Sequence, residues 1–156
     1  MEGVLSEAYK TWSAANAPAR PGGVNADVVA RAEAALKALS GQFARWLQDE
    51  VDKLDSTGRR VSSEGLTGEA GDTFYIHAHD LKGLGGTYEF PIVSRLAGSL
   101  CRLLDAGRAE APLDLAFAHV DAIKYVVSAG IREEDHPEGG ALLQSLEERV
   151  RTSVGL

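Results

Sequence analysis

A chain of 156 residues can hold one domain with a full apolar core and an extra segment at one end. Its 44% apolar and 25% charged residues are ordinary for a globular protein, and aromatics at only 6% beside abundant alanine and leucine favour helix over sheet. A net charge of -7 argues against a broad nucleic-acid or anionic-membrane surface, and a single cysteine excludes an internal disulfide. Nothing resembles a signal peptide or approaches the ~18 apolar residues of a membrane span, so the expectation is a soluble, cytoplasmic protein.

Residues 1–24 read as a short helix, with Val4, Leu5, Tyr9 and Trp12 as its stripe, followed by a proline- and glycine-rich linker, "NAPARPGGVN", that ends at Asn25. Asn25 or Asp27 then caps a long helix. Its apolar stripe, from Val28 and Val29 through Ala32, Leu36, Leu39, Phe43, Trp46, Leu47 and Val51 to Leu54, recurs at steps of three and four, and Gly41 is a candidate bend. The polar, glycine-rich "DSTGRRVSSEGLTGEAG" reads as a connection. A second helix starts near Thr67 or Asp72 and stops at "EFP", because Pro91 disfavours helix at Phe90. Pro91 opens a third, with Ile92, Val93, Leu96, Leu100, Leu103 and Leu104 inward and Gly107 as stop. In it Cys101 lies between leucines at helical spacing, the setting of a buried structural thiol. Pro112 opens a fourth, with Leu113, Phe117, Val120, Ile123 and Val127 inward and Gly130 as stop. After the polar loop "REEDHPEGG", a last helix carries Leu142, Leu143, Leu146 and Val150 on one side. Short connections favour antiparallel neighbours. The expectation is an all-α protein: an antiparallel up-down four-helix bundle over 25–131, short extra helices at the N- and C-termini, and a polar loop plus helix over 132–156.

The second helix carries "HAHDLKGLGG", residues 77–86. On a wheel of about 100° per residue with His79 at zero, Leu81, Leu84, Tyr88 and Phe74 cluster opposite it, at roughly 140–220°. His77 falls inside that cluster and is expected to face the core, hydrogen-bonded to a neighbour. His79 faces out, and Tyr75, Lys82, Gly83 and Gly86 share its side. Each glycine costs a helix about 1 kcal/mol relative to alanine. Two of them beside an exposed imidazole make sense where another molecule must come close. The Lys82 charge disfavours protonation of His79, leaving a ring nitrogen free as nucleophile, and can offset charge on an incoming phosphoryl group.

The stretch "AHDLKGLGGTYEF" resembles the signature of histidine-containing phosphotransfer domains: a helix with His-x-Ile/Leu-Lys-Gly, small residues, and often a closing Gly-Phe or Gly-Leu pair. The matching positions are His79, Leu81, Lys82, Gly83, Gly86, Thr87 and Phe90. It is especially similar to the phosphotransfer domains of chemotaxis-type kinases, where Thr-Phe-Gly-Phe follows; here the run is Thr87-Tyr88-Glu89-Phe90, with Glu89 in place of the glycine. The motif spans about a dozen residues, and similarity elsewhere is weak. The family fold is a four-helix bundle. The resemblance implies a phosphorelay intermediate in two-component signalling. His79 would be the phosphoacceptor, Lys82 would stabilise phosphoryl charge, and Tyr75, Gly83 and Gly86 would form the docking face. Its partners would be response-regulator receiver domains and a hybrid histidine kinase. The family binds no metal or other cofactor of its own; the Mg²⁺ for transfer sits in the partner receiver domain. The chain has no Walker-type phosphate loop, and no strand precedes "GLGGT" to make it a dinucleotide fingerprint, so such a protein receives its phosphoryl group instead of taking it from ATP.

Two other readings stay open at this point. "HAHD" fits the beginning of a metal-dependent hydrolase site, with His119 and His136 to complete it, only if residues 77–80 are not helical. Otherwise His119, in an apolar helix, and His136, before Pro137 in a loop, have no expected role. The bundle could also be an adaptor that binds without phosphorylation. On the third helix, Arg95, Gly98, Ser99 and Arg102 lie away from the leucine stripe and could supply a polar rim to docking.

Overall fold

The computed structural model describes residues 25–155; the N-terminal helix and linker expected over 1–24 lie outside the described residues. The described residues hold five α-helices and no strand: α1 (Ala26–Glu64), α2 (Glu69–Thr87), α3 (Pro91–Asp105), α4 (Leu113–Ser128) and α5 (Pro137–Ser153). None is long and apolar enough to cross a membrane. α1 packs against α2 and α4, α3 packs against the same two, and α5 lies on α3 and α4. Leu47, Val51 and Leu54 of α1, Phe74 and Leu81 of α2, Leu96 and Leu100 of α3, Ile123 of α4 and Leu143 of α5 meet in one core. Each such side chain contributes about 1.5–3 kcal/mol by leaving water.

α1 begins as its sequence indicates. The Asn25 side chain accepts the Val28 amide at 2.9 Å, supplying a partner that the first helical turn lacks. The helix runs on through Gly41 and ends much later than expected. Asp55–Glu64, read from sequence as connection, forms nearly three further turns of it. Leu54, Thr57, Gly58 and Val61 are buried at helical spacing, and the Thr57 hydroxyl donates to its own helix at Lys53 and Leu54. The serines and arginines between them are a solvated face, with Arg59 paired to Asp55 and Arg60 to Glu64 four residues apart. The real connection is Gly65–Gly68. Gly65 turns the chain at φ +84°, and a β-carbon on Gly71 would sit 1.8 Å from the Leu66 carbonyl oxygen, so this corner admits only glycine there.

Of the face expected on α4, Val120, Ile123 and Val127 are buried, but its first turns depart from it. Leu113 is exposed and Phe117 half-buried, whereas Leu115, Ala116, His119, Val120, Ala122, Ile123, Val126 and Val127 are buried. The helix is covered by α1, α3 and α5 together, so its buried face is wider than one stripe.

α2 ends in a Schellman turn: the Phe90 amide donates to the Gly85 carbonyl at 2.7 Å and the Glu89 amide to that of Gly86 at 3.2 Å. Glu89 takes the left-handed conformation, φ +67°, the one non-glycine residue with positive φ among the described residues. Glu89→Gly is therefore expected to raise stability by about 0.5–1 kcal/mol, the left-handed strain of an L-residue less the extra freedom glycine has when unfolded. An increased urea midpoint at unchanged slope checks it.

Candidate functional site

The α2 wheel is turned from its expected setting. Its buried positions are Ala70, Gly71, Phe74, Ala78, Leu81 and Gly85, an axis rotated by about 50° from the apolar cluster of Leu84, Tyr88, Leu81 and Phe74. Leu84 and Tyr88 are half-buried on the α1 flank, and Tyr75 is half-buried on the α3 flank. Ile76, 55% exposed, stands in solvent with His79, Asp80, Lys82 and Gly83. Ile76, one turn before Asp80, was not singled out in the sequence, because an isolated apolar residue on a wheel reads as a flank of the core.

His79 is exposed on a regular helix, and its ring has no hydrogen-bond partner among the described residues. Tyr75 lies one turn back, with ring centroids 6.3 Å apart. The Tyr75 ring is itself fixed: the Arg108 guanidinium stacks on it at 5.2 Å, and Arg108 pairs with Asp72. The Asp105 carboxylate is the main reason that the Tyr75 phenol is held above its usual pKa, with loss of hydration adding to it.

The glycines of the motif do three different things. A β-carbon on Gly83 would meet nothing within 4 Å, so the backbone beside His79 is open. On Gly85 it would lie 2.6 Å from the Ser94 amide nitrogen and hydroxyl, so this glycine lets α3 start against α2. Gly86, expected to be as open as Gly83, is half-buried; its amide donates to the Ser94 hydroxyl at 2.9 Å, and a β-carbon would make ordinary contact there at 3.8 Å. Gly98 of α3 is half-buried under the methylenes of Lys82, at 3.9 Å from its added β-carbon. Lys82 thus lays its stem across α3 and makes no ion pair among the described residues.

On the α1 side an open groove of about 470 Å³ runs past His79, lined by Glu50, Lys53, His77, Asp80, Gly83 and Leu84. Lys53 is held by Glu50 at 2.9 Å, and that hydrogen bond raises its pKa and keeps it cationic. The groove therefore brings together a second cation and a second histidine that sequence spacing alone did not associate with His79. His77 corrects an expectation. It is half-buried on the groove wall, and its Nδ1 is enclosed with no hydrogen-bond partner, where a bond to a neighbour was expected. An unpartnered buried polar atom costs about 1–3 kcal/mol.

A scan of protein-family models finds no match, and searches of curated proteins and of solved structures find none either. The chemistry of the site stands on its own geometry. Residues 77–80 are helical, so the condition on which a His-x-His metal site depended is not met. The site offers an exposed, unhindered imidazole, bare backbone next to it and one lysine on each flank.

The other histidines have structural partners. His119 of α4 is fully buried. Its Nδ1 lies 2.7 Å from the Leu115 carbonyl, which only accepts, so Nδ1 carries the proton and Nε2 accepts from the Ser99 hydroxyl at 2.9 Å. Ser99 is consequently a core residue and not part of a polar rim. Arg95 is engaged by Glu147 and Glu134, leaving Arg102 exposed on α3. His136 caps α5 by accepting the Gly139 amide at 3.1 Å. Cys101 is 3% exposed, and burial pushes its thiol up to about 11, which makes it inert.

Burial also lowers the pKa of His119, against a smaller upward pull from the Leu115 carbonyl. With the folded value below the unfolded ~6.5, the unfolded chain takes up the proton first as pH falls. Stability is then full above that pH and is lost below it, by up to about 1.4 kcal/mol per pH unit, until the folded value is reached. Urea unfolding at pH 7.5 and 5.5 should show this loss, and a Ser99→Ala/His119→Leu double variant should lose less over the same interval, since neither partner is left orphaned.

Proposed function

We propose that this protein is a phosphorelay intermediate of the histidine-containing phosphotransfer type, and that α1–α4 form the family's up-down four-helix bundle with α5 appended. A His79 ring nitrogen attacks the phosphorus of a phospho-aspartate on a receiver domain. The N–P bond forms as the O–P bond breaks, and the aspartate leaves as a carboxylate. The reverse reaction on a second receiver returns the imidazole. The transition state is loose, so the protein's contribution is position and charge. α2 holds the ring rigidly in solvent, Gly83 admits the partner, and Lys82 and Lys53 bring positive charge from either side. Mg²⁺ belongs to the acidic pocket of the partner. On this reading the protein is cytoplasmic and works downstream of a hybrid histidine kinase.

The observation that carries the proposal is the pairing of an exposed, unpartnered imidazole with open backbone at Gly83, one helical turn away. The end of α2 agrees: Glu89 adopts the conformation natural to the glycine that chemotaxis-type relatives of the motif carry there. Ile76 supplies the apolar contact that a docked surface would cover.

The test is exchange. Receiver domains from the same genome, phosphorylated with acetyl phosphate and Mg²⁺, are mixed with the protein. Acid-labile, alkali-stable label on the chain is expected within seconds to minutes for at least one of them. Complex formation with no label would overturn the relay and leave an adaptor.

A further inference from the structure

The two flanks of His79 are built differently. Towards α3 the space is filled: the Lys82 stem covers Gly98, and Arg108 stacks on Tyr75. Towards α1 it is an open groove, which continues from His77, Asp80 and Lys53 past Glu50 to Trp46 and Tyr88. Trp46 is 41% exposed at that end and is held against the rings of Phe43 and Tyr88 at 5.9 and 5.8 Å.

His77 sits in the groove wall in an unusual state. Its Nδ1 is the only buried side-chain polar atom without a partner among the described residues. Its ring makes no other hydrogen bond there, Nε2 is not enclosed, and the residue lines the groove. Nδ1 finds neither an acceptor nor a donor, and the assigned tautomer places the proton on Nε2, which can reach water. A leucine of similar bulk would avoid the orphan altogether.

We propose that His77 is a docking residue: its Nε2–H donates to an acceptor oxygen, a carbonyl or carboxylate, on a receiver domain that approaches His79 along the α1–α2 groove and not across α3. The inference rests on the phosphorelay reading and adds to it the side of approach and the group that fixes it. His77 takes no part in the chemistry. It orients the partner, so its loss weakens encounter and leaves the nucleophile intact.

Phosphoramidate separates the two. It phosphorylates an accessible imidazole directly, the new N–P bond forming as ammonia leaves, with no partner protein. Three variants, His77→Leu, His77→Gln and His77→Asn, are compared with wild type in phosphoramidate labelling, in melting temperature and in exchange with the receiver domain that labels wild type fastest. His77→Leu is expected to melt at or above the wild-type temperature and to label normally with phosphoramidate. Its exchange should slow about tenfold, the worth of one hydrogen bond, mainly through KM. His77→Gln, with an N–H near the position of Nε2, should recover most of the rate; His77→Asn, whose amide reaches only the enclosed position, should not. Unchanged exchange in His77→Leu, a marked fall in its melting temperature, or an equal slowing of phosphoramidate labelling would each overturn the proposal. Wild type that phosphoramidate cannot label at position 79 would instead remove the relay reading itself.

Discussion

His79→Gln is expected to abolish phosphoryl labelling from any receiver domain while leaving the fold untouched. The reasons for the two halves are separate. Glutamine keeps the length and polarity of the side chain but has no ring nitrogen lone pair to attack phosphorus, so no N–P bond can form. The ring it replaces is exposed, accepts and donates no hydrogen bond among the described residues, and has the Tyr75 ring as a neighbour at 6.3 Å between centroids. Substitutions at such positions change stability by no more than about 0.5 kcal/mol. The measurement is label on the chain together with the thermal midpoint. Label retained at wild-type level would assign the phosphate to another residue, with His77 and His136 the only other histidines not fully buried among the described residues.

The helical elements were largely legible, for an identifiable reason. Pro91 and Pro112 stand at helix starts, Gly107 and Gly130 at positive-φ stops, and leucines mark one face of α3 and α5, whereas Pro137, which opens α5, was read as part of a polar loop and Gly65, which stops α1, as the middle of a connection. These signals are local, and a single residue suffices to carry each. The end of α1 was missed because its last turns bury Thr57, Gly58 and Val61. Only one of those three weighs as apolar, so the polar face dominated the reading. The rotation of α2 has the same origin. Ala78 and Gly85 contribute almost nothing to a hydrophobic wheel, yet a neighbouring helix comes closest where side chains are smallest. The wheel followed the large residues Leu84 and Tyr88, which reach the core edge from the flank. His79 survived the error because a turn of about 50° still leaves it on the solvent side, whereas His77, nearer the boundary, did not. Ser99 and His119 were misread for a different reason. Each is polar on a helix that otherwise looks apolar or exposed, and only the pairing across α3 and α4 shows that they satisfy one another.

The glycines at 83 and 85, two residues apart, should respond in opposite ways to substitution. Gly85→Ala is expected to lose about 3 kcal/mol, roughly 10 °C in melting temperature. The added β-carbon would meet the Ser94 amide nitrogen and hydroxyl at 2.6 Å and the Phe90 carbonyl oxygen at 3.0 Å. Two of these are backbone atoms at the start of α3, so relief requires moving that helix and disturbing the Gly85–Phe90 bond that closes α2. Gly83→Ala, with no atom within 4 Å of its new methyl, should gain about 0.5–1 kcal/mol from helix propensity alone. Its phosphoryl exchange should be only modestly slower. Gly83→Glu should be at least as stable as wild type and should slow exchange by about 100-fold or more, since a long anionic side chain now stands where the anionic group must pass, one turn from His79. Unfolding and exchange measured on all three variants separate access from packing: a Gly83→Glu protein that unfolds early would show that the bare backbone at 83 was there to hold the helix, and one that exchanges at the wild-type rate would show that no partner comes that way.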